Sequence, residues 1–99
     1  MNIFTTDLSF EWDHGNIDKN YQKHKITPDV AEEAFCDQNL LTFPDPTHSQ
    51  NENRFHLIGQ DKSGDTLFIS YTIRHKKIRI ISVRIADKKE RQIYDQQKA

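Results

Sequence analysis

The sequence predicts a small α+β domain, on three observations. Ninety-nine residues suffice for one core and no more. Period-2 alternation of apolar residues fills the stretch from Arg54 to Ile85, broken only by short turns. Helix-start chemistry appears before it, at Thr27-Pro28, and after it, at Asp87-Lys88-Lys89-Glu90. Tight connections make consecutive strands antiparallel, so the expected architecture is N-terminal helices, a meander of three to four strands and a C-terminal helix. Helices should cover one face of the sheet and leave the other open.

Taken in order, residues 1–8 read as a frayed tail ahead of a single domain spanning 1–99. Phe10 and Trp12 alternate with Ser9 and Glu11, which suits a short edge strand. Asp13 is placed to cap a helix reaching about His24, with Ile17, Tyr21 and His24 on one side. Thr27 caps a second helix whose first residue, Pro28, has its φ already set. Asp29, Glu32 and Glu33 favour its early turns, and it should end near Cys36-Asp37. Leu40 to Phe43 reads as a strand, and the polar, proline-bracketed stretch PDPTHSQNEN as a loop.

From Arg54, Phe55 and Leu57 alternate with Arg54 and His56. Lys62-Ser63-Gly64-Asp65 is a hairpin turn, after which Leu67, Ile69, Tyr71 and Ile73 share a face. Arg74-His75-Lys76-Lys77 is a second turn, basic and without glycine. Ile78 to Ile85 holds the strongest strand signal, rich in Ile and Val. Asp87 with Glu90 three residues on forms a capping box, and Ile93 and Tyr94 can dock the last helix.

Composition narrows the function classes. The longest apolar runs are far too short to cross a membrane as a helix, and the N-terminus lacks the pattern of a secretory signal. The lone cysteine, Cys36, fits a reducing, cytoplasmic setting and reads as a buried, inert thiol. Five histidines show no zinc-motif spacing, and three unclustered glycines make no phosphate loop, so neither metal nor cofactor is expected. Charge is uneven: residues 1–60 carry a net −6 and residues 61–99 a net +5. The second half therefore suits an anionic partner, unless the two halves simply balance each other within the fold.

The candidate residues form a phosphate-binding array. Arg54 opens one strand; Arg74, Lys76 and Lys77 surround a turn; Arg79 and Arg84 lie in the Ile-rich strand; Lys88, Lys89 and Arg91 open the last helix. Regular alternation would place Arg79 and Arg84 on opposite faces, unless a bulge intervenes. For Arg79, bidentate phosphate recognition and an ion pair with an acid of the N-terminal half are equally supported. His48, Glu52 and Arg54 could supply a proton donor, a proton acceptor and a charge clamp, although loop residues of these types are mostly solvated. Tyr94 could stack on a base, but an aromatic beside Ile93 fits the core better; Trp12 likewise reads as a core anchor.

Three ordered motifs carry a family resemblance. FEWD at 10–13 with KH at 23–24 and EEAF at 32–35, then LTFPDPTHSQNENRFHLIG at 41–59, then IRIISVRIADKKERQIY at 78–94 resemble the BrnT toxins over residues 10–94. The resemblance implies a RelE-like fold and a cytoplasmic ribonuclease toxin of a type II toxin–antitoxin pair. It also implies a BrnA-type ribbon-helix-helix antitoxin, bound as two toxins on two antitoxins, through which alone the pair would repress its operator DNA. By motif position it makes His48, Glu52, Arg54, Arg79 and Arg84 the catalytic candidates.

RNA brings its own nucleophile, the 2′-hydroxyl, so a metal-independent reaction needs only orientation, charge stabilisation and two proton transfers. In that scheme Glu52 is the base, His48 the acid, and Arg54, Arg79 and Arg84 hold phosphate. Arg74, Lys76, Lys77 and Tyr94 would extend the RNA contact, and Lys88, Lys89 and Arg91 would meet the antitoxin. Two features depart from the family pattern. Ile85 stands where a second arginine is usual after Arg84, and His75-Lys76-Lys77 replaces a glycine or acidic turn. A non-catalytic RNA- or protein-binding module, retained for complex formation, is the alternative.

Overall fold

In the computed structural model, residues 9–13, 25–48 and 52–98 are described. The expected tail at 1–8 and helix from about 14 to His24 lie outside them. Helix α1, Pro28–Ala34, begins as the sequence predicts: the Thr27 hydroxyl accepts from Val30 N at 3.4 Å, and Pro28 occupies the first position. Its end tightens into short-range bonds, Phe35 N to Glu32 O and Cys36 N to Glu33 O. Cys36 thereby lies past the buried side of the helix and is exposed, which corrects the expectation of a buried thiol.

Four strands follow, β1 Leu41–Pro44, β2 Arg54–Gln60, β3 Thr66–Arg74 and β4 Lys77–Ile85, paired antiparallel in sequence order. A short 3₁₀ turn, Pro46–His48, interrupts the proline-bracketed loop. Helix α2, Lys88–Lys98, closes the described chain. Its start is the predicted capping box: Asp87 N donates to Glu90 Oε1 at 2.9 Å, and Glu90 N to Asp87 Oδ1 at 2.8 Å.

Both hairpin turns have identifiable causes. The β2–β3 turn is organised by the buried Asp61, whose Oδ1 accepts from Ser63 N, Ser63 Oγ and Asp65 N, while Gly64 supplies a φ of +94°. At the β3–β4 turn Arg74 pairs with Lys77, and His75 and Lys76 take φ of 53° and 63°. Two residues at positive φ match the twist of the strands, but neither is glycine, so the turn holds strain of about 1–2 kcal/mol per residue.

The core lies on one face of the sheet, under α1. Leu57, Leu67, Ile69, Tyr71, Ile78, Ile80 and Val83 meet Ala31, Ala34 and Phe35 there. Phe35 meets Tyr71 edge-on at 5.2 Å, and Phe10 meets Phe35 in the same manner at 5.2 Å. Gly59 lets the end of α1 approach, since a Cβ there would lie 2.8 Å from Ala34 O. Ile73, on the same side of β3 as this core, lies beyond it and is exposed. Residues 9–13 run along the outer edge of β4 through a parallel bridge from Phe10 to Ile78. Trp12 packs at the margin of the core and donates through Nε1 to Glu32 at 2.7 Å, in keeping with an anchor.

Candidate anion-binding face

One irregularity decides which side chains share the opposite face. Pairing passes from Ser70↔Ser82 directly to Tyr71↔Ile80, so Ile81 is an extra residue on β4. A bulge of this kind shifts alternation by one and turns the rest of the strand over. Arg84 lies opposite Phe68 and Arg79 opposite Thr72, two residues on the same side of β3. Arg74 belongs to that side too, and so does Arg54, across from Thr72. The two arginines of β4, on opposite faces under regular alternation, are therefore on one face. Ile78, Ile80 and Val83 still reach the core, because the bulge falls between the last two.

Each of these arginines is held. Arg79 donates through Nη1 to Glu11 at 2.9 Å, and through both terminal nitrogens to Asp13 at 2.9 and 3.1 Å. This is the ion pair with N-terminal acids that the sequence left open against phosphate recognition. Hydrogen bonding to Asp13 is the largest influence on its guanidinium, raising its pKa against the opposing effect of burial. Arg74 Nη2 bridges both oxygens of Glu52 at 3.0 and 3.1 Å, and its Nη1 lies 3.6 Å from Glu11. Arg84 grips Glu90 with two bonds of 2.8 Å and stacks 4.4 Å above the Phe68 ring. Its hydrogen bonds to Glu90 raise its pKa most. Arg74, Arg79, Glu11, Asp13 and Glu52 thus form one cluster, and Arg84 with Glu90 a separate pair.

Beside the cluster lies a groove of about 490 Å³, lined by Asp45, Thr47, Arg54, His56, Ser70, Ile81 and Ser82. His56 is its central group: Nε2 lies 3.1 Å from Asp45 Oδ2, and Nδ1 2.9 Å from Ser70 Oγ. Sequence reasoning did not single out His56, Asp45 or Ser70. His56 was accessible through its two-residue spacing from Arg54 on one strand. Asp45 and Ser70 come from a loop and from another strand, and nothing in linear spacing links them.

The other candidates are dispersed. The backbone of His48 ends the 3₁₀ turn. Lys76 and Lys77 are exposed at the β3–β4 turn, and Lys88, Lys89 and Arg91 at the start of α2, where Arg91 Nη1 donates to Ala86 O at 2.7 Å. Tyr94 is fully buried and donates to Asp37, so its ring has no face for a base. Burial is the main cause of a phenol pKa raised well above the ordinary value. Among the described residues, no group of three His, Cys, Asp or Glu side chains is arranged to hold a metal ion, and no helix is long and apolar enough to cross a membrane.

The face thus carries four arginines, three of them paired with Glu11, Asp13, Glu52 and Glu90, around a groove of hydroxyls, imidazole and the Asp45 carboxylate. Comparison with known families gives that arrangement a context. Residues 12–90 match the family described as the ribonuclease toxin BrnT of type II toxin–antitoxin systems, and the chain belongs to this family. Comparison with curated proteins finds no match.

Proposed function

We propose that the chain is an endoribonuclease toxin of RelE-like fold. It cleaves RNA by attack of the substrate's 2′-hydroxyl, without a metal, and a BrnA-type ribbon-helix-helix antitoxin silences it. Beyond family membership, the observation that carries this reading is the Ile81 bulge, which brings Arg79 and Arg84 of β4 together on the face that carries Arg54 and Arg74. A phosphodiester laid along the groove would meet Arg54 first, and Arg79 and Arg84 would grip it by exchanging their carboxylate partners, Glu11, Asp13 and Glu90, for phosphate. His48 is the proposed acid. Glu52, bridged through both oxygens by Arg74, is better suited to orienting that arginine than to serving as the free base expected from sequence.

The antitoxin is proposed to cover the start of α2. Lys88, Lys89 and Arg91 are exposed there, and Ile85 and Ile93 leave apolar area beside them. Two toxins on a dimeric antitoxin is the expected assembly, because a ribbon-helix-helix region needs two chains to form its ribbon; operator DNA would be held through the antitoxin.

Expression without a partner, followed by incubation of the purified chain with RNA in excess chelator, tests the reading. Growth arrest and RNA fragments ending in 2′,3′-cyclic phosphate are expected. Binding without cleavage would favour the non-catalytic module. That alternative has one observation behind it: Arg74, Arg79 and Arg84 each already hold carboxylates of their own chain.

A further inference from the structure

We propose that His56 is the proton acceptor of this face, that Ser70 is the hydroxyl through which the proton reaches it, and that Asp45 is the positioning residue behind it. The proposal rests on the ribonuclease reading and supplies the base that Glu52 leaves vacant.

Geometry assigns the roles. Asp45 is 7% exposed and fixed on three sides. Its N donates to Arg54 O at 2.8 Å, its Oδ1 accepts from Thr47 N at 3.2 Å, and its Oδ2 faces His56 Nε2 at 3.1 Å. A carboxylate accepts, so Nε2 carries the ring proton and Nδ1 presents a lone pair. Ser70 Oγ, 2.9 Å from Nδ1, then donates to it and stands at the groove wall with its lone pairs available. The ring lies between Phe43 and Phe68, at centroid distances of 5.7 and 4.8 Å. Among the described residues, the charged groups around it are Asp45 after β1, Arg54 on β2, and Arg84 of β4 across the Phe68 ring. A carboxylate behind an imidazole with a hydroxyl before it is an arrangement for moving a proton out of the groove.

In the proposed step, the ribose 2′-hydroxyl gives its proton to Ser70 Oγ as Ser70 passes its own to His56 Nδ1. The 2′-oxygen bonds to phosphorus, and the bond from phosphorus to the 5′-oxygen breaks. The leaving oxygen takes one proton from the acid, His48 in the reading above. One proton is taken and one given, and the products are a 2′,3′-cyclic phosphate and a 5′-hydroxyl. Asp45 stabilises the imidazolium formed in between, while Arg54 faces the phosphate.

The experiment compares wild type, His56→Gln, Ser70→Ala and Asp45→Asn on one fluorescent single-stranded RNA, reading cleavage across pH and binding separately. His56→Gln should cut more slowly by about 10²- to 10⁴-fold with RNA affinity retained, and should lose the fall in rate on the acid side that protonation of the base produces. Ser70→Ala should slow cleavage without removing that fall. Asp45→Asn should slow it while the protein still binds RNA. If wild type cleaves and His56→Gln matches it in rate and pH profile, the proposal falls and the ribonuclease reading stands; if wild type cleaves no RNA, both fall. Nitrogen NMR of the wild-type imidazole gives a second check that needs no variant to fold: at the pH of cleavage, a neutral ring protonated on Nε2 supports the relay, and an imidazolium or a neutral ring protonated on Nδ1 overturns it.

Discussion

Arg79→Ala separates two roles that one guanidinium could hold. The substitution deletes bonds of 2.9 Å to Glu11 and of 2.9 and 3.1 Å to Asp13. Those bonds reinforce the edge segment 9–13, whose other ties include Glu11 N to Ile78 O, Ile78 N to Ser9 O, and Phe10 against Phe35. A charge-assisted hydrogen bond is worth about 1.5–3 kcal/mol when shielded. The Asp13 side chain is 56% exposed, so solvent screening discounts its share heavily. For the cluster as a whole about 1–2 kcal/mol is a reasonable figure, and in a domain of this size each kcal/mol moves Tm by roughly 4–8 °C.

Arg79→Ala should therefore melt roughly 5–15 °C below wild type. The gap should narrow in high salt, because screening weakens the wild-type pairs. Asp13→Asn should couple to it in a double-mutant cycle by at least about 0.5 kcal/mol. Arg79→Lys should recover part of the stability and part of the toxicity, since an ammonium lacks the planar fork that grips Asp13. An Arg79→Ala protein that melts like wild type, with no coupling to Asp13, would refute the structural role and leave phosphate recognition alone. Full activity in Arg79→Lys would show that charge suffices.

Two further outcomes follow from packing and charge. Gly59→Ala should destabilise by about 1–3 kcal/mol, because its Cβ would press on a backbone oxygen of Ala34 that cannot rotate away; an unchanged urea midpoint would mean α1 is not seated there. Reversing charge at Lys88 and Lys89 should weaken antitoxin binding and its salt dependence while leaving Tm within a few degrees; unchanged affinity would move the antitoxin elsewhere.

The elements of this chain are legible in its sequence because local chemistry specifies them. Thr27-Pro28 can start a helix, Asp87 with Glu90 can cap one, and alternation from Arg54 to Ile85 can hardly be anything but strands. Those signals depend on residues a few positions apart; the helix starts at Pro28 and Lys88 and the strands from Arg54 to Ile85 formed as expected, whereas the strand expected at Phe10 and Trp12 is a single bridge from Phe10 to Ile78. The three motifs that marked the BrnT family are likewise linear and needed no structure. The face shared by Arg79 and Arg84 is of another kind. It turns on one extra residue, Ile81, where seating Ile78, Ile80 and Val83 together in the core outweighs unbroken pairing. Alternation read along β4 alone returns the opposite answer. Partner choice was also settled only in three dimensions: Arg79 found Glu11 and Asp13 because the edge segment lies along β4, and Glu52 was taken up by Arg74. Asp45, His56 and Ser70 meet because a loop and two strands converge, and no spacing along the chain encodes that convergence. The sequence determines the elements and the family. Which side chains face one another was decided by packing, whose energy is summed over the whole core rather than over neighbours in the chain.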